Sequence, residues 1–150
     1  GRIILVPVLN VAAFRAAARD SALDDHVNLN RAFVDGAGSA PGIKGITHRI
    51  AAFVRASLWP QVHVVLDLHA GGQVARFLPL TSFHAVDDPQ QMRRIEDTAR
   101  WFGTPLVITY QNESPGLLSS EAERLGKITV GCELGWGGAV SPAGVPSESV

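Results

Sequence analysis

Four residues of this chain combine a reactive side chain with a place in the sequence where a fold would expose it: Asn30, Arg31, His69 and Glu133. Asn30 and Arg31 are neighbours in a polar segment, and an amide beside a planar guanidinium is suited to binding a carboxylate. His69 follows an apolar run and can bind a metal ion through its imidazole. Glu133 ends another apolar run and can act as a general base. Together the four residues indicate a metal-assisted amide hydrolase.

Each of these residues also has a simpler, structural interpretation. Asp67 lies two residues before His69, so in a strand both side chains point to the same side and Asp67 could orient a metal-binding imidazole. Taken singly, His69 could be a hydrogen-bonded histidine, Asp67 a strand-end aspartate bound to loop amides, and Glu133 a solvated strand end. Asn30 and Arg31 could belong to a loop held by asparagine turn chemistry and a surface salt bridge. Both interpretations remain open for each residue alone.

The elements that must position these residues alternate between strands and helices. Apolar, β-branched runs predict strands, and apolar residues at helical spacing predict helices. The predicted strands cover residues 2–9, 62–68, 76–81, 105–110 and 128–134, and the predicted helices cover residues 11–18, 43–58, 89–102 and 116–125. Residues 19–41 are predicted to form a long polar loop that holds the Asn-Arg pair.

This alternation predicts an α/β fold with three αβα layers and a mostly parallel mixed sheet. In such sheets ligands bind beyond the carboxyl ends of the strands. His69 and Glu133 both lie at such ends, so we expect them to share one site. Asp88 and Pro89 are expected to begin the helix of residues 89–102, and Gly103 to end it.

The composition argues against several classes of function. The net charge is −1 and the basic residues are scattered, which gives no reason to expect binding to nucleic acid or to an acidic membrane. No apolar run is long enough to span a membrane. The single cysteine, Cys132, rules out an internal disulfide and is compatible with the cytoplasm, where we expect the protein to reside. At this position in an apolar strand, Cys132 is better interpreted as a small buried residue than as a cysteine nucleophile.

The set of metal ligands in the sequence is incomplete. A catalytic zinc usually has three protein ligands and one open position. None of the five histidines begins a His-x-x-Glu or His-x-x-x-His pair, and His69 is the convincing candidate among them. The other two ligands are therefore expected to lie outside residues 1–150. We interpret residues 1–150 as an internal piece of one catalytic domain, incomplete at both ends.

Three motifs, in this order, resemble those of the succinylglutamate desuccinylase/aspartoacylase family, whose members are relatives of the zinc carboxypeptidases. They are Asn-Leu-Asn-Arg-x-Phe at residues 28–33, Asp-Leu-His-x-Gly-Gly at residues 67–72 and Glu-Leu-Gly-x-Gly-Gly at residues 133–138. The glycines of the second and third motifs are most similar to the branch that includes N-acetyl-diaminobutyrate deacetylases. The resemblance implies a zinc carboxypeptidase-like fold and a deacylase that acts on an N-acyl amino acid or a related small molecule.

The same resemblance implies a role for each of the four residues. His69 would be one of three zinc (Zn2+) ligands, and Glu133 would activate the attacking water and then protonate the leaving amine. Asn30 and Arg31 would bind the substrate carboxylate. The family takes its other two ligands from a His-x-x-Glu before the first strand and has a small β-rich domain after the glutamate, and residues 1–150 contain neither.

Three further residues have weaker assignments. Arg19 is a loose candidate for the arginine with which some family members stabilise the oxyanion. Arg76 is a further candidate for contact with an anion. Trp136 lies in the loop after Glu133, where it could line a pocket.

Two other functions are consistent with the same residues. One is a carboxypeptidase-like peptidase, which short peptides would distinguish from a deacylase. The other is a non-catalytic α/β domain that has lost its metal site. We expect the isolated chain to bind zinc weakly and to be inactive, because one ligand cannot hold a catalytic ion tightly. An exposed sheet edge is expected to favour a homo-oligomer.

Overall fold

A computed structural model describes residues 1–20, 26–34 and 45–136. Its main helices and strands are α1 (Val11–Arg15), α2 (Ile46–Phe53), β1 (Val64–His69), β2 (Leu80–His84), α3 (Pro89–Trp101), β3 (Leu106–Tyr110), α4 (Leu118–Arg124) and β4 (Ile128–Glu133). The chain divides into two compact units. One comprises residues 1–61 and 115–118, and the other comprises residues 62–114 and 119–150.

The first unit is organised around α1 and α2. Asn10 caps α1 by accepting a hydrogen bond from the Ala13 amide at 3.1 Å, and its Nδ2 donates to Thr47 Oγ1 of α2 at 3.4 Å. Phe33 and Trp59 are both buried, with ring centroids 6.5 Å apart. These polar and aromatic contacts help to connect the helices and loops of this unit.

The strand predicted at residues 2–9 is absent from the structure. These residues adopt no regular element, and Ile3 and Leu5 are 91% and 79% exposed. A strand forms only where a neighbouring backbone pairs its N–H and C=O groups. Within the described ranges, no strand pairs with this segment. Its apolar, β-branched composition is typical of a strand, but composition alone does not supply the pairing partner.

The second unit is a four-stranded sheet with the order β1-β4-β2-β3. The β1–β4 and β2–β3 pairs are parallel and the β2–β4 pair is antiparallel, which confirms the mostly parallel mixed sheet. On one face α3 packs against β2 and β4 in a core of six buried residues, Phe83, Ile95, Ala99, Ile128, Val130 and Cys132. On the opposite face Glu123 of α4 contacts His84 of β2. A helix therefore contacts each face of the sheet, while β1 and β3 are largely exposed.

Local signals determine the helix ends where the sequence predicted them. Asp88 caps α3 through a 2.9 Å hydrogen bond from the Gln90 amide to its carboxylate, and Pro89 is the first residue of the helix. Gly103 and Gly126 have φ angles of +67° and +72° and follow the ends of α3 and α4. Helix α1 ends earlier than predicted, because Ala17 adopts a φ of +50°.

Two other boundaries differ from the prediction. The strand predicted at residues 76–81 is β2, which begins only at Leu80, directly after Pro79. A proline has no N–H to donate to a strand ladder, so pairing begins after it. The helix predicted at residues 43–58 is α-helical from Ile46 to Phe53 and continues as a π-helical turn over Val54–Leu58.

In the ranges described, no helix has both the length and the apolar character needed to cross a bilayer.

Candidate functional site

The site is built on two adjacent strands that end side by side. β1 and β4 are parallel and in register, and His69, the last residue of β1, pairs with Glu133, the last residue of β4. Paired residues of adjacent strands project to the same face of a sheet. The Leu134 amide donates to the His69 carbonyl at 2.9 Å and continues the pairing past the strand ends. The structure therefore places His69 and Glu133 together at one edge of the sheet.

Asp67 holds the imidazole of His69. The Asp67 Oδ2 atom lies 2.8 Å from His69 Nε2, and the side chains are 20% and 41% exposed, respectively. Asp67 is two residues before His69, so both side chains lie on the face that carries Glu133. A carboxylate on one ring nitrogen is the arrangement that orients a metal-binding histidine in many proteins. The contact agrees with the orienting role predicted for Asp67.

The backbone next to Glu133 is shaped by a glycine. Gly131 pairs with Asp67 of β1 on one side and with Ser82 of β2 on the other. A Cβ atom at Gly131 would lie 3.2 Å from Ser82 Oγ, so a larger residue would crowd this face. Glu133 itself is half-buried, and its Oε2 atom is shielded from solvent. The carboxylate thus stands in a partly enclosed setting and not on an open surface.

Cys132 lies on the opposite face of β4 from Glu133. Its side chain belongs to the core beneath α3 and is 1% exposed. Burial, followed by the negative charges of Asp67 and Glu133, raises the pKa of the Cys132 thiol from 9.0 to about 12. A thiol in that state is a poor nucleophile. The structure agrees with the interpretation of Cys132 as a small apolar residue of a buried strand.

Asn30 and Arg31 belong to the first unit, in a short 3₁₀ turn over Leu29–Arg31. The Asn28 side chain accepts from the Asn30 amide at 2.9 Å, and Asn30 Oδ1 accepts from the Leu118 amide at 2.8 Å. Arg31 is exposed, and its guanidinium donates to the Asn30 carbonyl. Asparagine turn chemistry therefore does stabilise this loop. Within the described ranges, the Asn30 amide NH₂ group and most of the Arg31 guanidinium remain as donors for a ligand.

The segment of residues 115–118 packs closely against this turn. The Phe33 amide donates to the Gly116 carbonyl at 3.1 Å. Gly116 has a φ of +88°, and a Cβ atom at that position would lie 2.9 Å from the Arg31 carbonyl oxygen. Only a glycine at residue 116 allows the backbone of residues 115–118 to lie this close to the backbone of the Asn-Arg turn.

Of the residues that the structure describes, His69 is the candidate metal ligand. Among them, no group of three His, Cys, Asp or Glu side chains is arranged to hold an ion. His69 with its Asp67 partner has the chemistry of a single zinc ligand, and Glu133 is a neighbouring carboxylate. The role of His69 as the zinc ligand of this chain stays a prediction.

Gly1 marks the point in the sequence before which the other two zinc ligands are expected. It is exposed, and an added Cβ atom there would meet nothing within 4 Å. A glycine has no side chain with which to bind an ion, so Gly1 is not itself a ligand. The two further ligands expected upstream of it stay a prediction, because they would lie before the first residue of the sequence.

Two contacts in the second unit were not anticipated. His84 Nδ1 and Glu123 Oε2 are 2.8 Å apart, with side chains only 8% and 4% exposed. The misplaced boundary of β2 hid this pair, because the strand predicted at residues 76–81 did not include His84. Arg76 lies over the ring of Trp136, at 4.2 Å from its centroid. The sequence offered Arg76 and Trp136 as separate candidates, but their contact depends on two loops that are far apart in sequence.

Comparisons with known proteins agree with the fold and with the family resemblance of the sequence. The succinylglutamate desuccinylase/aspartoacylase catalytic domain matches residues 1–145. The N-alpha-acetyl-L-2,4-diaminobutyric acid deacetylase of Halomonas elongata is 39% identical over 143 residues, which are 95% of this chain and 40% of that protein. The chain thus spans well under half the length of this curated relative.

Solved structures give the same result. A succinylglutamate desuccinylase from Silicibacter sp. TM1040 superposes with a TM-score of 0.81 at 31% identity, over 93% of this chain and 41% of the other. The product-bound ectoine utilization protein EutE (DoeB) from Ruegeria pomeroyi also has a TM-score of 0.81, at 30% identity and with the same coverage. Together with the match over residues 1–145, these similarities show that the chain belongs to the succinylglutamate desuccinylase/aspartoacylase family.

Proposed function

We propose that this chain forms part of the active site of a zinc-dependent deacylase, which hydrolyses the amide bond of an N-acyl amino acid or a related small molecule. The observation that carries the proposal is the pairing of His69 with Glu133 on one face at the ends of β1 and β4. The names of the relatives, a deacetylase and a desuccinylase, support hydrolysis of an acyl group.

His69 is proposed as the zinc ligand of this chain. Asp67 engages Nε2, so the metal would bind through Nδ1. When bound, zinc supplies a Lewis acid that polarises the scissile carbonyl. The two remaining ligands are proposed to come from a His-x-x-Glu upstream of Gly1. On this account the described residues hold part of a single catalytic domain, which a β-rich domain follows.

Glu133 is proposed as the general base and then the general acid. It takes a proton from the attacking water as oxygen adds to the carbonyl carbon. It returns that proton to the nitrogen as the C–N bond breaks, which releases a carboxylic acid and a free amine. Its half-buried position supports this role, because a carboxylate partly shielded from water interacts more strongly with the reacting atoms.

Asn30 and Arg31 are proposed to bind the carboxylate of the substrate. The Asn30 Oδ1 atom already accepts from the Leu118 amide, so the amide NH₂ group is what the side chain offers to a ligand. Arg31 is exposed and adds a guanidinium that can bind a carboxylate through two hydrogen bonds.

The single cysteine, buried in the core, agrees with a cytoplasmic location.

The test is amine release from N-acetyl amino acids by the complete protein, measured with bound zinc, after chelation and after zinc is restored. The His69→Ala variant is expected to lose both bound zinc and hydrolysis. The matched control is His63→Ala, which removes an exposed imidazole just before β1 and is expected to retain both. Hydrolysis that persists in the His69→Ala variant would contradict the proposal.

The same assay separates the two other functions. A peptidase would cleave short peptides more efficiently than N-acetyl amino acids. A non-catalytic domain would release no amine from either substrate, even when the protein is supplied with zinc.

A further inference from the structure

The loops that follow β1 and β4 bring an arginine and a tryptophan together beside the candidate site. The guanidinium carbon of Arg76 lies 4.2 Å from the centroid of the Trp136 ring. Tryptophan is the aromatic ring that attracts a cation most strongly, and contacts within about 6 Å are favourable. Arg76 follows the strand that ends in His69, and Trp136 follows the strand that ends in Glu133. The contact therefore joins the two halves of the site.

Backbone contacts hold these two loops in place. The Gly71 amide donates to the Gly135 carbonyl at 2.9 Å, and the Ala75 amide donates to the Gly71 carbonyl at 3.1 Å. A Cβ atom at Gly71 would lie 2.0 Å from the Ala75 carbonyl oxygen, so only glycine permits this turn. The turn directs the chain back toward the loop after β4. Arg76 is thus positioned by fixed backbone and not only by its own flexible side chain.

The Arg76 guanidinium is close to the site and available for a ligand. Trp136 is three residues after Glu133, so their Cα atoms are at most about 11 Å apart. Arg76 is exposed, and among the residues that the structure describes no carboxylate forms an ion pair with it. A guanidinium held over an aromatic ring can still donate two parallel hydrogen bonds to a carboxylate.

We propose that Arg76, held over Trp136, determines specificity by binding a second anionic group of the substrate, in addition to the carboxylate assigned to Asn30 and Arg31. This inference rests on the proposed function. The second group would be a carboxylate on either the side chain or the acyl group of the N-acyl amino acid. The positive charge of Arg76 disfavours a substrate with an ammonium group at the same place.

The experiment compares substrates that differ in one charge, using the complete zinc-loaded protein. N-acetyl-L-aspartate against N-acetyl-L-asparagine tests a side-chain carboxylate, and N-succinyl-L-asparagine against N-acetyl-L-asparagine tests an acyl carboxylate. The Arg76→Gln variant is expected to lower one of these two kcat/KM ratios roughly 10- to 100-fold, as for a lost charge-assisted hydrogen bond. The ratio that falls identifies which carboxylate Arg76 binds.

Two further variants separate charge from structure. If the aspartate-to-asparagine ratio is the one that falls, the Arg76→Glu variant is expected to reverse the preference, so that N-alpha-acetyl-L-2,4-diaminobutyrate, with its ammonium group, is hydrolysed better than N-acetyl-L-aspartate. The matched control is Arg94→Gln, which removes an exposed guanidinium from α3 and is expected to leave every ratio unchanged. If neither ratio changes in the Arg76→Gln variant, the proposal is overturned.

A binding measurement keeps this inference distinct from the deacylase proposal. Succinate, a dicarboxylate, is expected to change the fluorescence of Trp136 in the wild-type protein, and the Arg76→Gln variant is expected to show at least a roughly tenfold weaker midpoint. The Trp136→Phe variant identifies the contribution of Trp136 to the signal. If no N-acyl amino acid is hydrolysed, the proposed function fails while this titration still tests Arg76. Equal succinate midpoints in wild type and variant would refute the role of Arg76.

Discussion

His69 has in Asp67 a neighbour that can orient its imidazole. Asp67 Oδ2 lies 2.8 Å from Nε2 of the imidazole, and both side chains project from the same face of β1. An outer carboxylate of this kind fixes the tautomer and the ring orientation of a metal ligand. The two residues thus act as a unit, although only one of them would contact the metal.

The Asp67→Asn variant is therefore expected to bind zinc about 10- to 100-fold more weakly than the wild-type protein. The amide keeps the size of the side chain but removes its charge, which lowers the basicity of the imidazole. Competition with a chromogenic chelator measures the affinity in the complete protein. A suitable comparison is Asp97→Asn, on the exposed face of α3, which should leave the affinity unchanged. An unaltered affinity in the Asp67→Asn variant would mean that Asp67 has no orienting role.

Cys132 provides a test of the face on which the chemistry occurs. Its pKa is raised to about 12 by burial and by neighbouring carboxylates, so at pH 8 almost all of the folded protein carries the neutral thiol. Iodoacetamide is expected to modify the native protein far more slowly than the urea-unfolded protein. The Cys132→Ala variant is expected to retain hydrolysis. Loss of activity without loss of folding in that variant would favour a cysteine nucleophile instead.

The same raised pKa predicts how stability depends on pH. The neutral thiol is favoured in the folded state, so the unfolded chain loses its proton first as the pH rises above 9.0. The contribution of Cys132 to stability is fully present below pH 9 and decreases between pH 9 and about 12. Urea unfolding of the wild-type and Cys132→Ala proteins from about pH 8 to 10.5 measures this difference. A difference that does not vary with pH would contradict the prediction.

At the scale of single residues, much of the site could be predicted from the sequence. His69 and Glu133 each end an apolar strand, and parallel strands present their carboxyl ends at one edge, so their proximity followed from pattern and topology. The Arg76–Trp136 contact could not be predicted in this way. It depends on the tight turn at Gly71, which sequence patterns do not place relative to a loop about 60 residues away.

At the scale of elements, a buried hydrogen bond connects α4 to β2. Glu123 of α4 contacts His84 of β2 at 2.8 Å, and the Gln91 side chain donates to the carbonyls of Glu123 and Lys127 at 2.8 and 2.9 Å. Lys127 directly precedes β4, which carries Glu133. These contacts link α3, α4 and the start of β4, so they help to set the position of the strand that carries the proposed base.

The Glu123→Ala variant is expected to lower the free energy of unfolding by about 3 kcal/mol, because it leaves His84 buried without this partner. The Glu123→Gln variant, which can still accept a hydrogen bond, is expected to lose less. The midpoint of urea unfolding gives both values, with Glu113→Ala, at an exposed position, as the control. Identical midpoints for the Glu123→Ala and Glu113→Ala variants would show that the buried pair contributes nothing measurable.

Helix α3, whose ends carry strong local signals, was predicted closely, whereas the strand predicted at residues 2–9 was wrong. The capping aspartate, first-turn proline and terminal glycine of α3 all act within a few residues, so the predicted and observed bounds agree closely. Residues 2–9 have the composition of a strand but no strand partner among the described residues. Pairing is a tertiary property, and composition alone could not reveal that it is missing.

At the scale of the whole molecule, the sheet of the second unit has apolar edge strands. Leu66 and Leu68 of β1 are 49% and 58% exposed, and Leu106 and Val107 of β3 are 43% and 46% exposed. An apolar edge with unpaired backbone groups is a template for association with another chain. The self-association expected from the sequence stays a prediction, and these exposed strands support it.

A polypeptide of residues 1–150 alone is accordingly expected to form dimers or larger species at micromolar concentrations. Light scattering coupled to gel filtration measures the mass. Lysine on an edge strand opposes edge-to-edge pairing, so the Val107→Lys variant is expected to shift the population toward the monomer. A wild-type polypeptide that remains monomeric at high concentration would show that these edges do not drive association.

In the proposed mechanism Glu133 moves the proton while His69 holds the metal. The most direct measurement is the kcat for N-acyl amino acid hydrolysis by the Glu133→Gln variant of the complete protein, together with its zinc content and a Glu113→Gln control. The Glu133→Gln variant is expected to show a kcat lower by about 10²- to 10⁴-fold with its zinc content unchanged, because the amide cannot accept the proton from water. Full activity in the zinc-loaded Glu133→Gln variant would contradict the account.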